Sequence, residues 1–441
     1  MVHGRAHVGG AAVAVLATLA VTVAACGAGA APGGPVAARA TLPTVDAPSP
    51  ASTRVPAFYR APDPLPAGRP GTLLRAERVV GVPGVPSSAR VWRILYRSRD
   101  VAGRGVAVSG YVIAPAGTAP RGGYPVVAWD HGTTGMAAPC APSLFTNLDG
   151  QQEYLAPYLG RYLARGYAVV ASDYQGLGTG PLHPYLVGDV EAWDTLDAVR
   201  AAGHLAGLDL SADVVVVGHS QGGQASLFTG QLAATYAPEL HLLGVVAIAP
   251  ATDLKAAVEV SSLLTSSGGI AHGQGDLDFI AMALWAWTHT YPDLPVSSVF
   301  TAEGRRAMAV AGAGCLPQIA VALRGRTEQQ LLVAGATSDP AVLAAASRND
   351  AGATRTPVPV LVVQGTGDQT VPWQLTRYFV DHVACPVGDR VTLTLYPGDT
   401  HSGVIAPAAG EVLGWVAARF AGTPAPDGCG KTVPTPTTGA G

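Results

Sequence analysis

The chain has 441 residues, of which 48% are hydrophobic and 13% are charged. This charged fraction is about half that of an ordinary soluble domain, which excludes a disordered, highly solvated protein. The 27 basic and 30 acidic side chains give a formal net charge of -3. A protein that binds a phosphate backbone carries an excess of cationic side chains, so the composition argues against nucleic acid as a partner.

The N-terminus has the pattern of an export signal. A basic start, with Arg5, precedes a mostly apolar stretch over residues 8–25, which predicts a signal peptide at 1–25. The stretch ends Val23-Ala24-Ala25-Cys26 and resembles a bacterial lipobox, in which the cysteine becomes the lipid-modified N-terminus. We therefore expect a protein anchored through Cys26 to the outer face of the cytoplasmic membrane. A plain cleaved signal and an uncleaved anchor are the alternatives, although the stretch is short for a bilayer.

Two further segments are poor in large apolar residues. Residues 26–55 are rich in Ala, Pro and Gly, which predicts a flexible tether between anchor and domain. Residues 422–441 are similar apart from Cys429. A cysteine in such a tail predicts a bond that pins the tail to the fold.

Four cysteines remain after Cys26 in a chain that is predicted to be exported. An even number of cysteines in an oxidising compartment predicts two disulfides, and four cysteines allow three connectivities. Their spacing does not match a zinc site. The four are Cys140, Cys315, Cys385 and Cys429.

Short apolar runs with β-branched residues alternate with helical stretches along the chain. Several runs lack polar alternation, as in residues 214–217, which is typical of parallel strands covered on both faces. The alternation predicts an α/β protein with a doubly wound, mostly parallel sheet. The predicted strands are 105–114, 124–130, 167–172, 213–218, 244–249, 358–364 and 391–396, and the predicted helices are 151–165, 190–206, 221–236, 373–383 and 407–420.

One interval breaks this alternation, because about 105 residues separate the strand ending at Ala249 from the next, and so long a connection must be structured. It includes an aromatic, apolar segment at 279–287 that predicts a buried helix. We interpret it as a mainly helical cap domain at 251–350, inserted between core segments 56–250 and 351–421.

Residues 218–222, Gly-His-Ser-Gln-Gly, have the G-x-S-x-G pattern of a nucleophile elbow. The pattern alone is weak in a glycine-rich chain, but a four-valine strand precedes it and a helical stretch follows. This strand-turn-helix context is what such an elbow requires. Ser220 is therefore the candidate nucleophile, and the alternative is an ordinary tight turn.

A serine hydroxyl needs an imidazole to accept its proton and a carboxylate to orient that imidazole. Asp368 and His401 follow the last two predicted strands, in the chain order Ser, acid, His. The carboxyl ends of parallel strands meet at one sheet edge, so both should converge on Ser220. Asp381 and Asp399 are weaker alternatives for the acid.

When a serine attacks a carbonyl carbon, the carbonyl oxygen becomes negatively charged and needs hydrogen-bond donors. The backbone N–H of Gln221, after the nucleophile, is the first candidate. The strand at 124–130 leads into His131-Gly132-Thr133-Thr134-Gly135. Thr133 in that loop is our second candidate, and the alternative is a loop whose glycines serve a turn only. His131 and His219 are expected to form local hydrogen bonds.

These features together resemble the secretory lipase family of α/β-hydrolases. The resemblance implies the α/β-hydrolase fold with a cap, hydrolysis of acylglycerols or similar esters, and no cofactor or metal. It also implies that Cys140 pairs with Cys315 and Cys385 with Cys429. The residues that carry it are Phe58-Tyr59, 65–71, Trp129–Gly135, Cys140–Ser143, Asp173-Tyr174, His183–Tyr185, the elbow, Asp368 and His401.

The leading hypothesis is a serine carboxylic-ester hydrolase, either lipase or esterase. An acyltransferase that passes the acyl group to an envelope alcohol would use the same triad. A non-catalytic envelope binding protein on a hydrolase scaffold is the third hypothesis, because a fold does not guarantee an activity.

Overall fold

The computed structural model describes residues 42–47, 55–145, 151–259 and 274–431. The predicted signal peptide, Cys26 and most of the predicted tether lie outside the described residues. The described residues belong to one compact unit, Thr41–Gly441. Within these ranges, no helix has both the length and the apolarity needed to cross a membrane.

Over the described residues, a single sheet contains ten strands in the order β1-β2-β3-β4-β6-β5-β7-β8-β9-β10. The pairs from β6 through β5, β7, β8 and β9 to β10 are parallel, whereas β2, β3, β4 and β6 pair antiparallel. The strands are β1 Thr44–Asp46, β2 Leu73–Val80, β3 Arg90–Arg99, β4 Gly105–Ala114, β5 Tyr124–Asp130, β6 Ala168–Ser172, β7 Leu210–His219, β8 His241–Ile248, β9 Val360–Gly365 and β10 Val391–Tyr396.

Helices cover both faces of this sheet, and strand β7 shows why its sequence is apolar throughout. Val214 and Val216 pack into one hydrophobic cluster, while Val215 and Val217 pack into another. Successive side chains of a strand point to opposite faces, so a strand buried on both faces needs apolar residues at every position. The doubly wound, mostly parallel sheet is therefore as the sequence predicts.

The helices occupy the intervals between strands. Four of the five predicted helices agree with the structure to within a few residues, and the fifth, 373–383, becomes a short α-helix followed by a π-helix at Phe379–Ala384. The α-helices are α1 Gln151–Ala164, α2 Gly188–Ala202, α3 Gln221–Tyr236, α4 Gln274–Thr290, α5 Val296–Val299, α6 Ala302–Ala311, α7 Leu316–Leu323, α8 Glu328–Leu331, α9 Pro340–Arg348, α10 Trp373–Tyr378 and α11 Ala409–Phe420.

The long interval between β8 and β9 contains α4 to α9. These helices pack in one hydrophobic cluster that also includes residues of the core segment such as Trp193, and Met282, Leu284 and Trp287 of α4 are fully buried in it. The buried aromatic helix predicted at 279–287 is thus part of α4. Helices α4 to α9 fall within residues 251–350, the range predicted for the cap.

Three strands at one edge of the sheet are absent from the sequence prediction. Strands β2 and β3 both carry arginines, which a search for runs of apolar residues does not select. The structure buries one of them: Arg93 pairs with Glu77 at 2.5 Å and is 2% exposed. Strand β1, paired with β2, lies inside the segment predicted to be a flexible tether.

Two disulfides link the cysteines in the described part of the chain. Cys140 pairs with Cys315, and Cys385 pairs with Cys429, as the family resemblance implies. The first joins the region after β5 to the start of α7, and the second joins the C-terminal tail to the end of the π-helix. The predicted pinning of the tail through Cys429 is present.

Candidate active site

Ser220 lies at the sharp turn between β7, which ends at His219, and α3, which begins at Gln221. Its backbone has φ 59° and ψ -118°, a conformation that L-residues rarely adopt. The N–H of Ser220 donates to the carbonyl of Ile248 at 2.9 Å, which holds the turn against β8. Both the strand and the helix predicted around Ser220 are therefore present.

The glycines of the elbow are required by close packing. A Cβ on Gly218 would lie 2.0 Å from the carbonyl oxygen of Gly222, and a Cβ on Gly222 would lie 2.0 Å from that of Asp130. Real Cβ atoms do not approach backbone oxygens so closely. The G-x-S-x-G pattern thus reflects the absence of space on both sides of Ser220.

Ser220, His401 and Asp368 lie at the carboxyl ends of β7, β10 and β9, and their side chains form one hydrogen-bonded chain. The Nε2 of His401 is 2.8 Å from Ser220 Oγ, and its Nδ1 is 2.7 Å from Asp368 Oδ2. An ionised carboxylate only accepts hydrogen bonds, so the hydrogen is on Nδ1 and Nε2 is free to accept the serine proton. The structure therefore brings the three predicted residues together.

Asp368 is held in its ionised form. Burial opposes ionisation, but hydrogen bonds from His401, from the N–H of Val371 and from the side chain of Gln364 hold the pKa of this carboxyl below its ordinary value. The second carboxylate oxygen accepts from the N–H groups of Thr370 and Val371, each at 2.8 Å. A carboxylate with this many donors stays negative and can stabilise an imidazolium.

The weaker alternatives for the acid lie elsewhere. Asp381 forms an ion pair with Arg377 at 3.1 Å, and the Nδ1 of His401 contacts Asp368 rather than Asp399. His219 was expected to form a local hydrogen bond. Instead, its Nε2 lies 3.1 Å from the carbonyl oxygen of His401, 182 positions away in sequence, and so supports the loop that carries His401.

The two candidate oxyanion residues border Ser220 on the side of β5. Gln221 begins α3, and the first N–H groups of a helix have no partner within the helix. The loop after β5 is close to the serine, since a Cβ on Gly132 would lie 3.5 Å from Ser220 Cβ. Thr133, next in this loop, is 7% exposed, and its hydroxyl is 2.8 Å from that of Tyr185.

Ser220 also lines a cavity of about 400 Å³ with mostly apolar walls. One wall comes from residues 251–258 and from α4, another from the chain after β9, and a third part from the segment before α2. The lining residues are Ala251, Thr252, Leu254, Ala257, Val258, Phe279, Ile280, Ala283 and Trp287 on the first, Gln369, Thr370, Val371, Pro372, Gln374 and Leu375 on the second, and Tyr185 and Leu186 on the third.

A buried polar cluster behind Gln221 was not predicted from the sequence. The side-chain nitrogen of Gln221 is 2.7 Å from Glu191 Oε1 and 2.7 Å from His183 Nε2. Burial raises the pKa of Glu191 to about 8 and lowers that of His183 to about 3, so both are neutral at pH 7. The family resemblance pointed to His183, but no sequence pattern distinguishes Glu191 from an exposed acid in a first helical turn.

No group of three or more His, Cys, Asp or Glu side chains within the described ranges could hold a metal ion. The arrangement that the structure does show is a nucleophilic hydroxyl, an imidazole and a carboxylate beside an apolar cavity.

Comparison with known sequences identifies relatives over most of the chain. A family model described as "Secretory lipase" matches residues 143–428. "Lipase 10" of Candida albicans is 26% identical over 412 residues, which cover 85% of this chain and 83% of the relative. A protein of Mycobacterium tuberculosis described as a probable inactive lipase is 26% identical over 84% of this chain and 83% of its own length.

Comparison with solved structures supports the fold. The X-ray structure of Candida antarctica lipase A has a TM-score of 0.73 and 21% identity, covering 86% of this chain and 89% of that one. The rice cell wall degrading esterase LipA from Xanthomonas oryzae has a TM-score of 0.63 and 24% identity, covering 80% and 98%. At these identities the likeness shows the fold alone, and it confirms the predicted α/β-hydrolase fold.

Proposed function

Because the chain belongs to the secretory lipase family, we propose that it hydrolyses carboxylic esters with apolar acyl groups, acylglycerols among them. The observation that carries this proposal is the hydrogen-bonded chain from Asp368 through His401 to Ser220, which ends at an apolar cavity. Such a site can activate a hydroxyl and hold a hydrocarbon chain beside it.

In the first half of the reaction, Ser220 Oγ attacks the acyl carbonyl carbon and His401 Nε2 takes the serine proton. His401 then gives this proton to the leaving alcohol, and an acyl-enzyme remains on Ser220. In the second half, His401 takes a proton from water, the resulting hydroxide attacks the acyl carbon, and the acid leaves as Ser220 regains its proton. Asp368 stays ionised throughout and stabilises the imidazolium.

Each tetrahedral intermediate carries a negative oxygen that needs donors in a fixed position. We assign these donors to the backbone N–H groups of Gln221 and Thr133. Gln221 is supported by its place at the first turn of α3, where the helix dipole also favours negative charge. Thr133 is supported by the close approach of its loop to Ser220.

The acyl chain fits the apolar cavity. Phe279, Ile280 and Trp287 of α4 and Leu375 on the opposite wall give it a hydrocarbon lining. Burial of each methylene against such a lining contributes about 0.8 kcal/mol. A substrate with a longer chain should therefore bind more tightly until the cavity is filled.

Family membership does not by itself carry the activity, since one relative is described as a probable inactive lipase. The test is hydrolysis of p-nitrophenyl esters from acetate to palmitate and of emulsified triacylglycerol by the wild type, Ser220→Ala and Asp368→Asn. We expect Ser220→Ala to abolish hydrolysis. We expect Asp368→Asn to lower kcat by about 10⁴-fold, because His401 is then no longer held with its hydrogen on Nδ1 and its imidazolium has no counter-ion. Asp381→Asn, a change at an exposed ion pair, is the matched control with wild-type activity.

The same assay separates the alternatives. Ester product that increases when a primary alcohol is added, at the expense of free acid, would indicate acyl transfer. A wild type as inactive as Ser220→Ala would indicate a binding protein and overturn the proposal. The chain-length optimum separates an esterase from a lipase.

We also propose that the protein is exported and anchored through a lipid on Cys26. The secretory description of the family supports export, and the lipobox at Val23-Ala24-Ala25-Cys26 supports the anchor. Mass spectrometry of the N-terminal peptide from the natural host tests it: a diacylglyceryl group on Cys26 supports the anchor, and an unmodified Cys26 contradicts it.

A further inference from the structure

The segment between β6 and α2 contacts both residues that were assigned above to the oxyanion site. His183 and Tyr185 of this segment, and Glu191 in the first turn of α2, are 0%, 3% and 0% exposed. They supply hydrogen-bonding groups to the side chains of Gln221 and Thr133. The mechanism proposed above does not use any of the three.

The contacts of Gln221 fix its side-chain amide completely. His183 Nδ1 lies 2.9 Å from the carbonyl oxygen of Gln175, which only accepts, so the hydrogen is on Nδ1 and Nε2 is an acceptor. The Gln221 amide therefore donates one hydrogen to His183 Nε2 and the other to Glu191 Oε1. Its two donors are both used, and the residue after Ser220 cannot rotate without leaving a buried acceptor unpaired.

Tyr185 makes the corresponding contact on the opposite side. Its hydroxyl is 2.8 Å from Thr133 Oγ1, and both side chains are buried. The next residue, Leu186, has a φ of 54°, a left-handed conformation that costs free energy for a residue with a Cβ. The N–H of Leu186 donates to Glu191 Oε1 at 3.0 Å, so the atom that holds Gln221 also holds this strained turn.

We propose that His183, Tyr185 and Glu191 are positioning residues that fix the distance between the two oxyanion donors, Gln221 N–H and Thr133 N–H. They act through the side chains of Gln221 and Thr133, because the donors themselves are backbone groups on two different loops. This inference rests on the function proposed above. It assigns His183, Tyr185 and Glu191 to transition-state stabilisation, in addition to the contribution of Tyr185 and Leu186 to the wall of the cavity.

The test uses a pair of variants at Glu191, which does not line the cavity. Glu191→Gln is uncharged like the native side chain at pH 7 and keeps a carbonyl oxygen for Gln221 and Leu186. Glu191→Leu has a similar volume and removes the acceptor. We expect Glu191→Leu to lower kcat about 10- to 100-fold while KM stays within about 2-fold of wild type. This loss of kcat is somewhat less than that caused by removing a whole oxyanion donor. We expect kcat of Glu191→Gln to stay within about 3-fold of wild type.

A second readout distinguishes positioning from general support of the fold. An alkylboronic acid adds to Ser220 as a tetrahedral adduct with an oxygen in the oxyanion position. Its inhibition constant should rise with the loss of kcat in Glu191→Leu and remain unchanged in Glu191→Gln. A purely structural role would lower the melting temperature without raising this constant.

Tyr185→Phe is an independent variant if Glu191→Leu does not fold. It should also lower kcat more than it raises KM. Its matched control is Tyr96→Phe, which removes another buried hydroxyl. That hydroxyl contacts Ser172 Oγ at 2.7 Å and the carbonyl oxygen of Asp194 at 2.9 Å, and neither contact involves Gln221 or Thr133. We expect the control to lose stability and keep kcat.

The proposal is overturned if folded Glu191→Leu and Tyr185→Phe keep wild-type kcat, or if Glu191→Gln falls as far as Glu191→Leu. In that case an active wild type and an inactive Ser220→Ala would still uphold the proposed function. An inactive wild type would overturn both.

Discussion

Glu191 carries an ionisable side chain in the first turn of α2 and is nevertheless completely buried. It is 0% exposed, and Gln221, Leu186 and other acids surround it. The proposal above gives it a role in positioning Gln221.

Glu191 also makes folding stability dependent on pH. Burial raises its pKa from 4.5 to about 8, against hydrogen bonds from Gln221 and Leu186 that lower it. Between these values the folded protein keeps a proton that the unfolded chain has released. The free energy of unfolding therefore falls as pH rises through this window, by at most about 1.4 kcal/mol per pH unit for one group, and its contribution is constant above the folded pKa.

Glu191→Gln cannot titrate, so its stability should fall less steeply between pH 5 and pH 8 than that of the wild type. Urea unfolding at four pH values in this range measures the difference. A residual slope is expected from Asp194, since burial raises its pKa to about 8 as well. Equal slopes for the two proteins would contradict the assignment of a neutral Glu191.

Asp368 and His401 were predictable from the sequence, because each follows a strand that ends at the edge where Ser220 lies. Glu191 was not predictable, because burial of a polar side chain in a helix depends on tertiary packing that a sequence pattern does not contain.

At the scale of elements, strands β4 to β10 were predictable from the sequence and strands β1 to β3 were not. Strands β4, β5 and β10 have the predicted bounds, because runs of apolar β-branched residues leave few alternatives. Strands β2 and β3 contain arginines, of which Arg93 is buried beside Glu77 and over the rings of Tyr59 and Phe145. Only the folded structure shows that these partners neutralise and cover the guanidinium.

At the elbow between β7 and α3, the backbone of Ser220 has a conformation that is unfavourable for serine. Ser220 has a φ of 59°, where glycine is unstrained and a residue with a Cβ is not. Ser220→Gly and Ser220→Ala should both be inactive. The glycine variant should nevertheless be more stable than the alanine variant by about 1 kcal/mol, because the relief of backbone strain outweighs the greater conformational entropy of glycine in the unfolded chain.

Ser226 provides the matched control, because it lies in the interior of α3 with ordinary helical geometry. There the order should be reversed, with Ser226→Gly less stable than Ser226→Ala by roughly 0.5–1 kcal/mol. Thermal and urea unfolding of the four variants measures both differences. The same order at both positions would show that the elbow of Ser220 is not strained.

At the scale of the whole molecule, the two disulfides close loops of very different length. Cys140 and Cys315 are separated by 175 positions and Cys385 and Cys429 by 44. In the loop-entropy model, the longer loop restricts the unfolded chain more, so its disulfide contributes about 1 kcal/mol more to stability. Replacing Cys140 and Cys315 with alanine should therefore destabilise the protein more than replacing Cys385 and Cys429.

Urea unfolding of the two double variants, with the wild type under oxidising conditions, measures this difference. Each pair should lower the free energy of unfolding by about 2–5 kcal/mol. A larger loss for the Cys385 and Cys429 pair would show that local packing of the tail, rather than loop length, determines the contribution.

The cavity beside Ser220 has consequences for how this molecule could diversify. Its first wall includes Phe279, Ile280 and Trp287 of α4, whereas Ser220, Asp368 and His401 belong to the loops that follow β7, β9 and β10. Substitutions on the lining face of α4 therefore reshape the acyl site without touching the groups that move protons. Only the second wall, with Thr370 and Val371, adjoins the triad in sequence. A library confined to residues 279–287 should therefore yield variants that differ in preferred chain length and share one chemistry.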